Sequence, residues 1–429
     1  MANSGFSIGY IAPPAVQRFA LAAVGFTVLL LLIFVGLDAF QPPTAAFAAA
    51  GEGDWARQAS YIAAFIVILI AALQHRGLSA VHAVPAGMAV LLCWCLASAF
   101  WSTEPIVVFR RAGLEVVIVT ALCFSVDTLG AERAFRIWRW LLAAVLLVNF
   151  LSIPLIPAAR HLAGESGDPG LVGDWRGLYG HKNIAGAVCA ITAILFLFAR
   201  IGWRNWIGIA VAIAACVFLV MTRSKTSLGL LPLAVAAGLA YRIFWRDGLS
   251  RAILATGGVL LLAAAILVAV MDGGVLRHLL EDPQEFTGRT AIWTAELGYI
   301  RDHPFLGSGF GTFADSGGLS PLHNYAGGAW VESAAHGHDG YLQLLVTIGG
   351  IGFVLAMLAL VIEPLRRFWA LDWDEDGFKP MLFALFVFLI LHNVMESDFL
   401  EGDSVTWAAL VLAIAALANR DHKSLTGSF

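Results

Sequence analysis

The turn that ends near residue 183 combines basic, histidine and amide side chains. Arg176, His181, Lys182 and Asn183 stand in it with two glycines, directly before a long apolar run. The helix predicted for that run begins with unpaired N–H groups and the positive end of its dipole, which together attract anions. The turn is therefore a candidate anion-binding segment. The alternative is an interfacial Lys182 beside a histidine with a structural role only.

A second polar turn, residues 221–226, lies between two apolar runs. Arg223 and Lys225 alternate in it with three hydroxyl side chains. Charged donors beside hydroxyl groups suit phosphate oxygens. The turn is a second candidate for phosphate binding, although ordinary lipid headgroups would suit it equally well.

The longest polar stretch, residues 272–337, contains a predicted amphipathic helix. The helix begins at Thr287-Gly288-Arg289 and ends at His303-Pro304. Arg289 lies in its first turn, where a cation opposes the helix dipole. This position is unfavourable for stability and therefore favours a functional role for Arg289.

The same stretch ends in His336-Gly337-His338-Asp339, where the next apolar helix begins. The dipole favours the neutral form of a histidine in a first helical turn, and a neutral imidazole suits a general base. His338 is the candidate base, and Asp339 is placed to orient an imidazole. The spacing is unlike H-E-x-x-H and a third ligand is not evident, so we predict no metal site.

Arg110 and Arg111 lie a few residues inside another apolar run. A charged side chain within a membrane span is costly and usually faces a cavity or a partner. Glu115 follows Arg111 by four residues on the same helical face, so a structural ion pair is one interpretation. Contact with a ligand is the other, particularly for Arg110.

The composition identifies the class of protein that must position these residues. Apolar residues make up 59% of the chain and charged residues 13%, whereas soluble domains carry about 25% charged residues. A water-soluble fold is excluded, and the 28 Phe and 14 Trp exclude disorder. The five cysteines lie in apolar runs, so we predict neither a disulfide framework nor a thiolate metal site.

The apolar runs predict an all-α polytopic membrane protein with about ten to twelve spanning helices and one long extracytoplasmic loop that contains short helices. We treat residues 1–429 as a single integral membrane domain. The predicted spans are residues 19–38, 57–74, 82–100, 105–127, 137–156, 183–200, 205–222, 227–244, 252–271, 338–362, 380–396 and 404–419.

Most of the 26 basic residues lie in the connections that would be cytoplasmic if both termini were cytoplasmic, as the positive-inside rule requires. The others fall mainly in the two turns above and in loop 272–337, which would all face the opposite side. A shared cationic surface there indicates a polyanionic ligand, with phosphate the natural candidate. Pairing with nearby acids such as Asp174 is the alternative. These remaining basic residues are Arg57, Arg110, Arg111, Arg160, Arg176, Lys182, Arg223, Lys225, Arg277, Arg289 and Arg301.

Taken in order, these segments resemble the O-antigen ligase and polysaccharide polymerase family, the Wzy-type membrane glycosyltransferases. The resemblance covers roughly residues 170–360, and its HKN and SKT forms look closest to the exopolysaccharide polymerase branch. One departure is Asp339, where the family often has Asn. The motifs are His181-Lys182-Asn183, Ser224-Lys225-Thr226, Gly288-Arg289 with Ile292-Trp293, Pro304 with Gly307 and Gly309, and His338 with Tyr341-Leu342 and Gly349.

The resemblance implies an enzyme of the bacterial inner membrane that takes a glycan from an undecaprenyl-diphosphate carrier on the periplasmic face. It implies no cofactor, because arginines can neutralise the diphosphate leaving group in place of a metal ion. The acceptor would be another glycan or lipid A core, and a flippase and a chain-length regulator are further expected partners. Nucleic acid is not among them.

The resemblance also implies roles for individual residues. His338 would activate the acceptor hydroxyl, and Arg289 would stabilise the leaving group. Cations expected at the diphosphate are Arg176, Lys182, Arg223 and Lys225, with Arg110 or Arg111, and residues expected to contact or orient the acceptor are His336, Asp339, His181 and Asn183.

Other functions also fit a polytopic chain of this size. An O-antigen ligase differs from a polymerase only in its acceptor. A secondary transporter is the alternative of another class, although Glu115 is the one acid well inside an apolar run and the spans show no evident repeat. A glycosyltransferase acting on lipid-linked peptidoglycan precursor is a further alternative.

Overall fold

A computed structural model of the chain describes residues 15–40, 55–165, 169–198, 205–245, 247–251, 256, 258, 289–314, 321–325, 339–370 and 377–426. The described residues form helices with short connections, which confirms the all-α polytopic prediction. The helices are α1 (Ala15–Phe34), α2 (Trp55–Arg76), α3 (Ala86–Ala97), α4 (Pro105–Leu129), α5 (Ala131–Leu155), α6 (Lys182–Leu197), α7 (Asn205–Thr222), α8 (Lys225–Phe244), α9 (Arg289–Asp302), α10 (Gly340–Met357), α11 (Glu363–Ala370), α12 (Phe378–His392) and α13 (Val405–Thr426).

Five of the described helical stretches are long and apolar enough to cross a membrane: Gln17–Phe34, Trp55–Ala83, Ala131–Leu155, Lys225–Phe244 and Gly340–Ala370. Five shorter apolar helices accompany them, at Ala86–Phe100, Lys182–Leu197, Trp206–Thr222, Phe378–His392 and Val405–Asn419. The predicted span 252–271 lies outside the described residues. The count of ten to twelve spans stays a prediction.

Helices α6, α12 and α13 form the centre of the bundle. Nearly every described side chain of α6 and of the first part of α13 is buried. Helix α12 packs against α8, α13 against α4, and α6 against α7. Small residues allow these close approaches: a Cβ atom at Gly186 of α6 would lie 2.6 Å from Cβ of Ser224.

Helix α10 is broken at Gly349, whose φ of 69° lies outside the helical range. The loop 304–309 fills the break, since Ser308 N–H bonds Val346 O at 2.9 Å and Gly350 N–H bonds Pro304 O at 2.9 Å. A break of this kind is tolerated at membrane depth only where protein satisfies the freed backbone groups.

Two tryptophan side chains near the junction of α3 and α4 donate hydrogen bonds to backbone carbonyls at this break. The indole N–H of Trp94 donates to Ile348 O at 3.0 Å, and that of Trp101 donates to Leu306 O at 3.0 Å. The N-terminal half of α10, which follows the predicted His338 segment, is thereby held in a fixed position.

Candidate functional site

The connection between α5 and α6 folds into a compact loop through backbone bonds. His161 N–H bonds Asp174 O at 3.0 Å, and Arg176 N–H bonds Ala159 O at 3.0 Å. The Arg176 side chain is completely buried. Its guanidinium donates to Ala158 O at 2.8 Å and to Glu165 Oε1 at 3.1 Å. Arg176 therefore holds this loop together from within.

Two of the predicted cations meet at Asp174, a buried carboxylate with 1% exposure. The ammonium of Lys182 lies 2.6 Å from Asp174 Oδ2, and the guanidinium of Arg223 lies 3.2 Å from Oδ1. We refer to Asp174, Lys182 and Arg223 as the Asp174 cluster. Its cations come from two turns that are about 40 residues apart in sequence.

The Asp174 cluster opens to the surface on one side. The Arg223 side chain keeps 71% of its surface exposed while it contacts Asp174. Lys225, the first residue of α8, is also exposed. Lys182 and Arg223 both pair with Asp174, and Lys225 adds a third cation two residues after Arg223.

The N-terminus of α6 is capped by two imidazoles. His181 Nδ1 accepts from Asn183 N–H at 3.2 Å, and His161 Nε2 accepts from Lys182 N–H at 3.2 Å. These two N–H groups are consequently unavailable to an anion. The expectation that this helix N-terminus binds phosphate stays a prediction, and it would involve donors other than these two N–H groups.

His161 was not singled out from the sequence. Its ring is 2% exposed and lies 5.3 Å from the ring of His181. Burial and the nearby Arg176 guanidinium lower the pKa of His161, so its ring is neutral at neutral pH. Because Nε2 accepts a hydrogen bond, the proton of the neutral ring lies on Nδ1. His161 caps α6 because the fold brings it to Lys182, which is 21 residues away in sequence.

Glu396 joins the predicted α6 turn to the predicted α10 start. Asn183 Nδ2 donates to Glu396 Oε1 at 2.8 Å, and Gly340 N–H bonds Glu396 O at 3.1 Å. The segments that contain His181 and Asp339 are therefore close together at one end of the bundle. The connection depends on Glu396, which lies in the loop between α12 and α13.

Asp339 caps α10. Its Oδ1 accepts from Tyr341 N–H at 2.9 Å and from Leu342 N–H at 3.0 Å, while its own N–H bonds Ser397 Oγ. A carboxylate is a strong N-cap, so the observed contacts of Asp339 fix the start of the helix. His336 and His338 lie outside the described residues.

Glu296 of α9 is a further acid, and its charge acts on the same region as that of Asp339. It is 1% exposed, and its Oε2 has no hydrogen-bond partner in the part of the chain that the structure describes. Burial, with a smaller effect from Asp339, raises the pKa of Glu296 to about 8. The sequence placed Glu296 on an amphipathic helix without indicating its burial, because the covering residues come from elsewhere.

Helix α9 itself begins at Arg289 and ends at Asp302, as the sequence predicted. Its apolar face packs on α10 through residues that include Ile292, Tyr299 and Val346. The Arg289 side chain lies outside the described residues. The backbone nevertheless places Arg289 on a helix that is packed against α10.

Arg110 and Arg111 are both half-buried. The Arg111 guanidinium donates to Gly311 O, which ties α4 to the loop that fills the α10 break. Glu115 accepts a hydrogen bond from Trp407 Nε1 at 2.5 Å. Arg111 is thus anchored to loop 304–311, whereas Lys182 and Arg223 are anchored to Asp174.

The residues that the structure describes include no group of three His, Cys, Asp or Glu side chains arranged to hold a metal ion. Charged donors, a buried carboxylate and two imidazoles are what this end of the bundle offers instead. Groups of this kind can bind an anion and position it.

Residues 210–357 match the family model described as O-antigen ligase. This match confirms the resemblance to the O-antigen ligase and Wzy-type family that the motifs predicted, and it includes Arg223, Arg289 and His338. No curated protein matches the chain. The chain is therefore a polytopic membrane protein in which residues 210–357 are similar to the O-antigen ligase family.

Proposed function

We propose that this protein is a membrane glycosyltransferase of the bacterial inner membrane. It transfers or polymerises oligosaccharide repeats carried on undecaprenyl diphosphate, at the periplasmic face, during exopolysaccharide or O-antigen biosynthesis. The observation that carries the proposal is the meeting of Lys182 and Arg223 at Asp174. The family match over residues 210–357 supports it independently.

The chemistry follows from the charge that develops on the leaving group. When the anomeric carbon is attacked, negative charge grows on the lipid diphosphate, and fixed cations stabilise it best when they need no reorganisation. Asp174 holds Lys182 and Arg223 in place in the free protein. Lys225 adds a further cation at the surface, and Arg176 supports the loop from within.

The acceptor side of the reaction belongs to α9 and α10. His338 removes the proton of the acceptor hydroxyl, and the hydroxyl oxygen then attacks the anomeric carbon as the bond to the diphosphate breaks. Arg289 stabilises the departing diphosphate from α9. Asp339 fixes the start of α10 and Glu396 bonds Asn183 at the start of α6. These contacts hold the acceptor side and the diphosphate side of the proposed site at a fixed distance.

The test is a deletion strain complemented with wild type, Arg289→Ala or His338→Ala. We expect both variants to accumulate undecaprenyl-diphosphate-linked glycan and to lose surface polysaccharide. Arg366→Ala is the control, because Arg366 is an exposed arginine that pairs with Glu363 and does not belong to the predicted cationic surface. If wild type, variants and control all give identical lipid-linked glycans and polysaccharide, the enzyme proposal is wrong.

The same strains separate the two acceptors. Accumulation of single lipid-linked repeats with otherwise normal lipopolysaccharide supports a polymerase. Polymer that is formed but left unattached, together with bare lipid A core, supports an O-antigen ligase, which is the second candidate because the matched family model carries that description.

A further inference from the structure

Basic side chains from α1, α2 and α5 meet at one end of the bundle. Arg18 of α1 donates to the carbonyl of Gln74 on α2 at 3.2 Å. The guanidinium of Arg133 on α5 lies over the ring of Phe19, with 5.2 Å between its Cζ atom and the ring centroid. The same ring lies 6.4 Å from the ring of His75. Three helices therefore place their polar ends side by side.

This end of the bundle is opposite the end that contains the candidate functional site. Arg57, at the start of α2, pairs with Asp403 in the loop between α12 and α13, which also contains Glu396. Arg76 ends the same helix, whose 22 residues span about 33 Å. This length equals or exceeds the thickness of the hydrocarbon core, about 30 Å. The positive-inside rule assigns the Arg76 end to the cytoplasmic face, so the basic residues there are separate from the proposed donor site.

We refer to Arg18, His75, Arg76 and Arg133 as the α1–α2–α5 cluster. The charges of Arg18, Arg76 and Asp127 all act on His75, which shows that these groups are close together. Arg76 pairs with Asp127 at 3.2 Å. Arg18 and Arg133 form no ion pair within the part of the chain that the structure describes. Because like charges repel, the cluster leaves two cations that an anion would stabilise.

Two nitrogen atoms of the cluster add a second observation. Arg18 Nε and His75 Nδ1 are both buried, and neither has a hydrogen-bond partner among the described residues. A buried donor without a partner costs free energy. A phosphate oxygen accepts strong hydrogen bonds from a guanidinium, and His75 can donate to the same group when its proton is on Nδ1. The positive-inside rule explains the side on which these residues lie but not their unpartnered atoms.

We propose that the α1–α2–α5 cluster binds the headgroup of an anionic phospholipid that carries two phosphates, such as cardiolipin. Arg18 binds one phosphate through its unpartnered Nε, and the exposed Arg133 binds the other. Basic pockets between helices on the cytoplasmic side of a membrane bind lipids of this kind. A lipid with one phosphate would neutralise only one of the two arginines. The bound lipid would link α1, α2 and α5, which is a role independent of the proposed enzymatic function.

The test uses the purified full-length protein in detergent, with retained lipid counted by native mass spectrometry. The added lipid is cardiolipin or phosphatidylglycerol, which carries one phosphate. We expect the wild type to retain one cardiolipin under conditions that remove phosphatidylglycerol. Arg133→Ala should lower the affinity for cardiolipin several-fold, because one phosphate loses its cation.

Arg251→Ala is the matched control. Arg251 also lies over an aromatic ring, with its Cζ atom 5.7 Å from the centroid of Trp245, and it is not part of the cluster. Its removal should leave cardiolipin affinity unchanged. If Arg133→Ala and Arg251→Ala lower the affinity equally, the lipid is attracted by surface charge in general and the proposal is wrong. Retention of phosphatidylglycerol as firmly as cardiolipin by the wild type would also overturn it.

Thermal unfolding gives a second readout that does not depend on mass spectrometry. A ligand that binds the folded state raises the unfolding midpoint. Cardiolipin should raise the midpoint of the wild type and of Arg251→Ala, and it should raise that of Arg18→Gln less, because glutamine lacks the charge and the Nε donor. Each variant is compared with itself without lipid, so a less stable variant still reports binding. Equal shifts for all three proteins would contradict the site, and neither readout requires turnover.

Discussion

At the scale of single residues, the candidate site depends on acidic side chains as much as on cationic ones. Asp174 is almost completely buried and binds two cations directly. A buried carboxylate in this position costs desolvation energy that its partners offset, and removing one partner would leave an uncompensated charge. The arrangement therefore fixes the positions of the two cations but is a poor source of stability.

Glu296 should give the protein a specific pH dependence. Its pKa is about 8 in the folded protein against an ordinary value of 4.5. Because the folded state binds this proton more tightly, its contribution to stability is present at low pH and is lost as the pH rises from 4.5 through about 8. Each unit of difference between the folded and unfolded pKa corresponds to about 1.4 kcal/mol.

Glu296→Gln should remove this dependence, because glutamine keeps the shape without the ionisation. We expect the variant to match wild type in thermal stability at about pH 5 and to exceed it at about pH 9. Glu132→Gln, a change in the first turn of α5, is a control for loss of one negative charge. A wild type and variant with parallel stability curves over this range would contradict the assignment.

At the scale of elements, the broken helix α10 is the main feature that packs loop 304–309 into the bundle, and its first residue, Gly340, bonds Glu396 beside Asn183. Its break depends on Gly349, on the loop 304–309 and on two indole N–H groups. Discontinuous helices mark substrate sites in many membrane proteins, because they release backbone groups at a defined depth. Here the released groups are satisfied by protein.

Gly349→Ala should damage this element. A Cβ atom at position 349 would collide with the carbonyl of Phe305, and the positive φ is unfavourable for alanine. We expect a loss of roughly 1–3 kcal/mol of stability, measured as a lower midpoint of thermal unfolding in detergent. The loss should be accompanied by reduced activity, since loop 304–309 holds the N-terminal half of α10 in place.

Gly113→Ala on α4 is the matched control. Nothing lies within 4 Å of the Cβ position at Gly113, and alanine favours helix over glycine by up to about 1 kcal/mol. This variant should be as stable as wild type or more so. Equal stability of the two variants would show that the α10 break does not require glycine.

At the scale of the whole molecule, apolar runs predicted nearly all the described helices, because a membrane span can be recognised from a long run of apolar residues alone. The turns that contain Lys182 and Arg223 were also predicted to share one side, since topology puts every second connection there. The contact of both cations with Asp174 agrees with the prediction that the two turns lie on the same side.

Contacts between segments that are distant in the chain could not be predicted from the sequence. The imidazole of His161 caps a helix that begins 21 residues later, and Glu396 bonds Asn183 from the far end of the chain. Burial of Arg176 could not be read from a polar turn either. Such residues carry no local signal, because their roles depend on which elements the bundle brings together.

The central claim is that exposed cations of the Asp174 cluster bind the lipid diphosphate. Its most direct test compares Arg223→Ala with Arg366→Ala in purified protein, with release of undecaprenyl diphosphate from a glycan-loaded donor as the readout. The two arginines are matched, with side chains 71% and 70% exposed and a carboxylate partner each, Asp174 for Arg223 and Glu363 for Arg366. We expect Arg223→Ala to lower the release rate by roughly tenfold or more and Arg366→Ala to leave it unchanged. Equal release rates for the two variants would contradict the account.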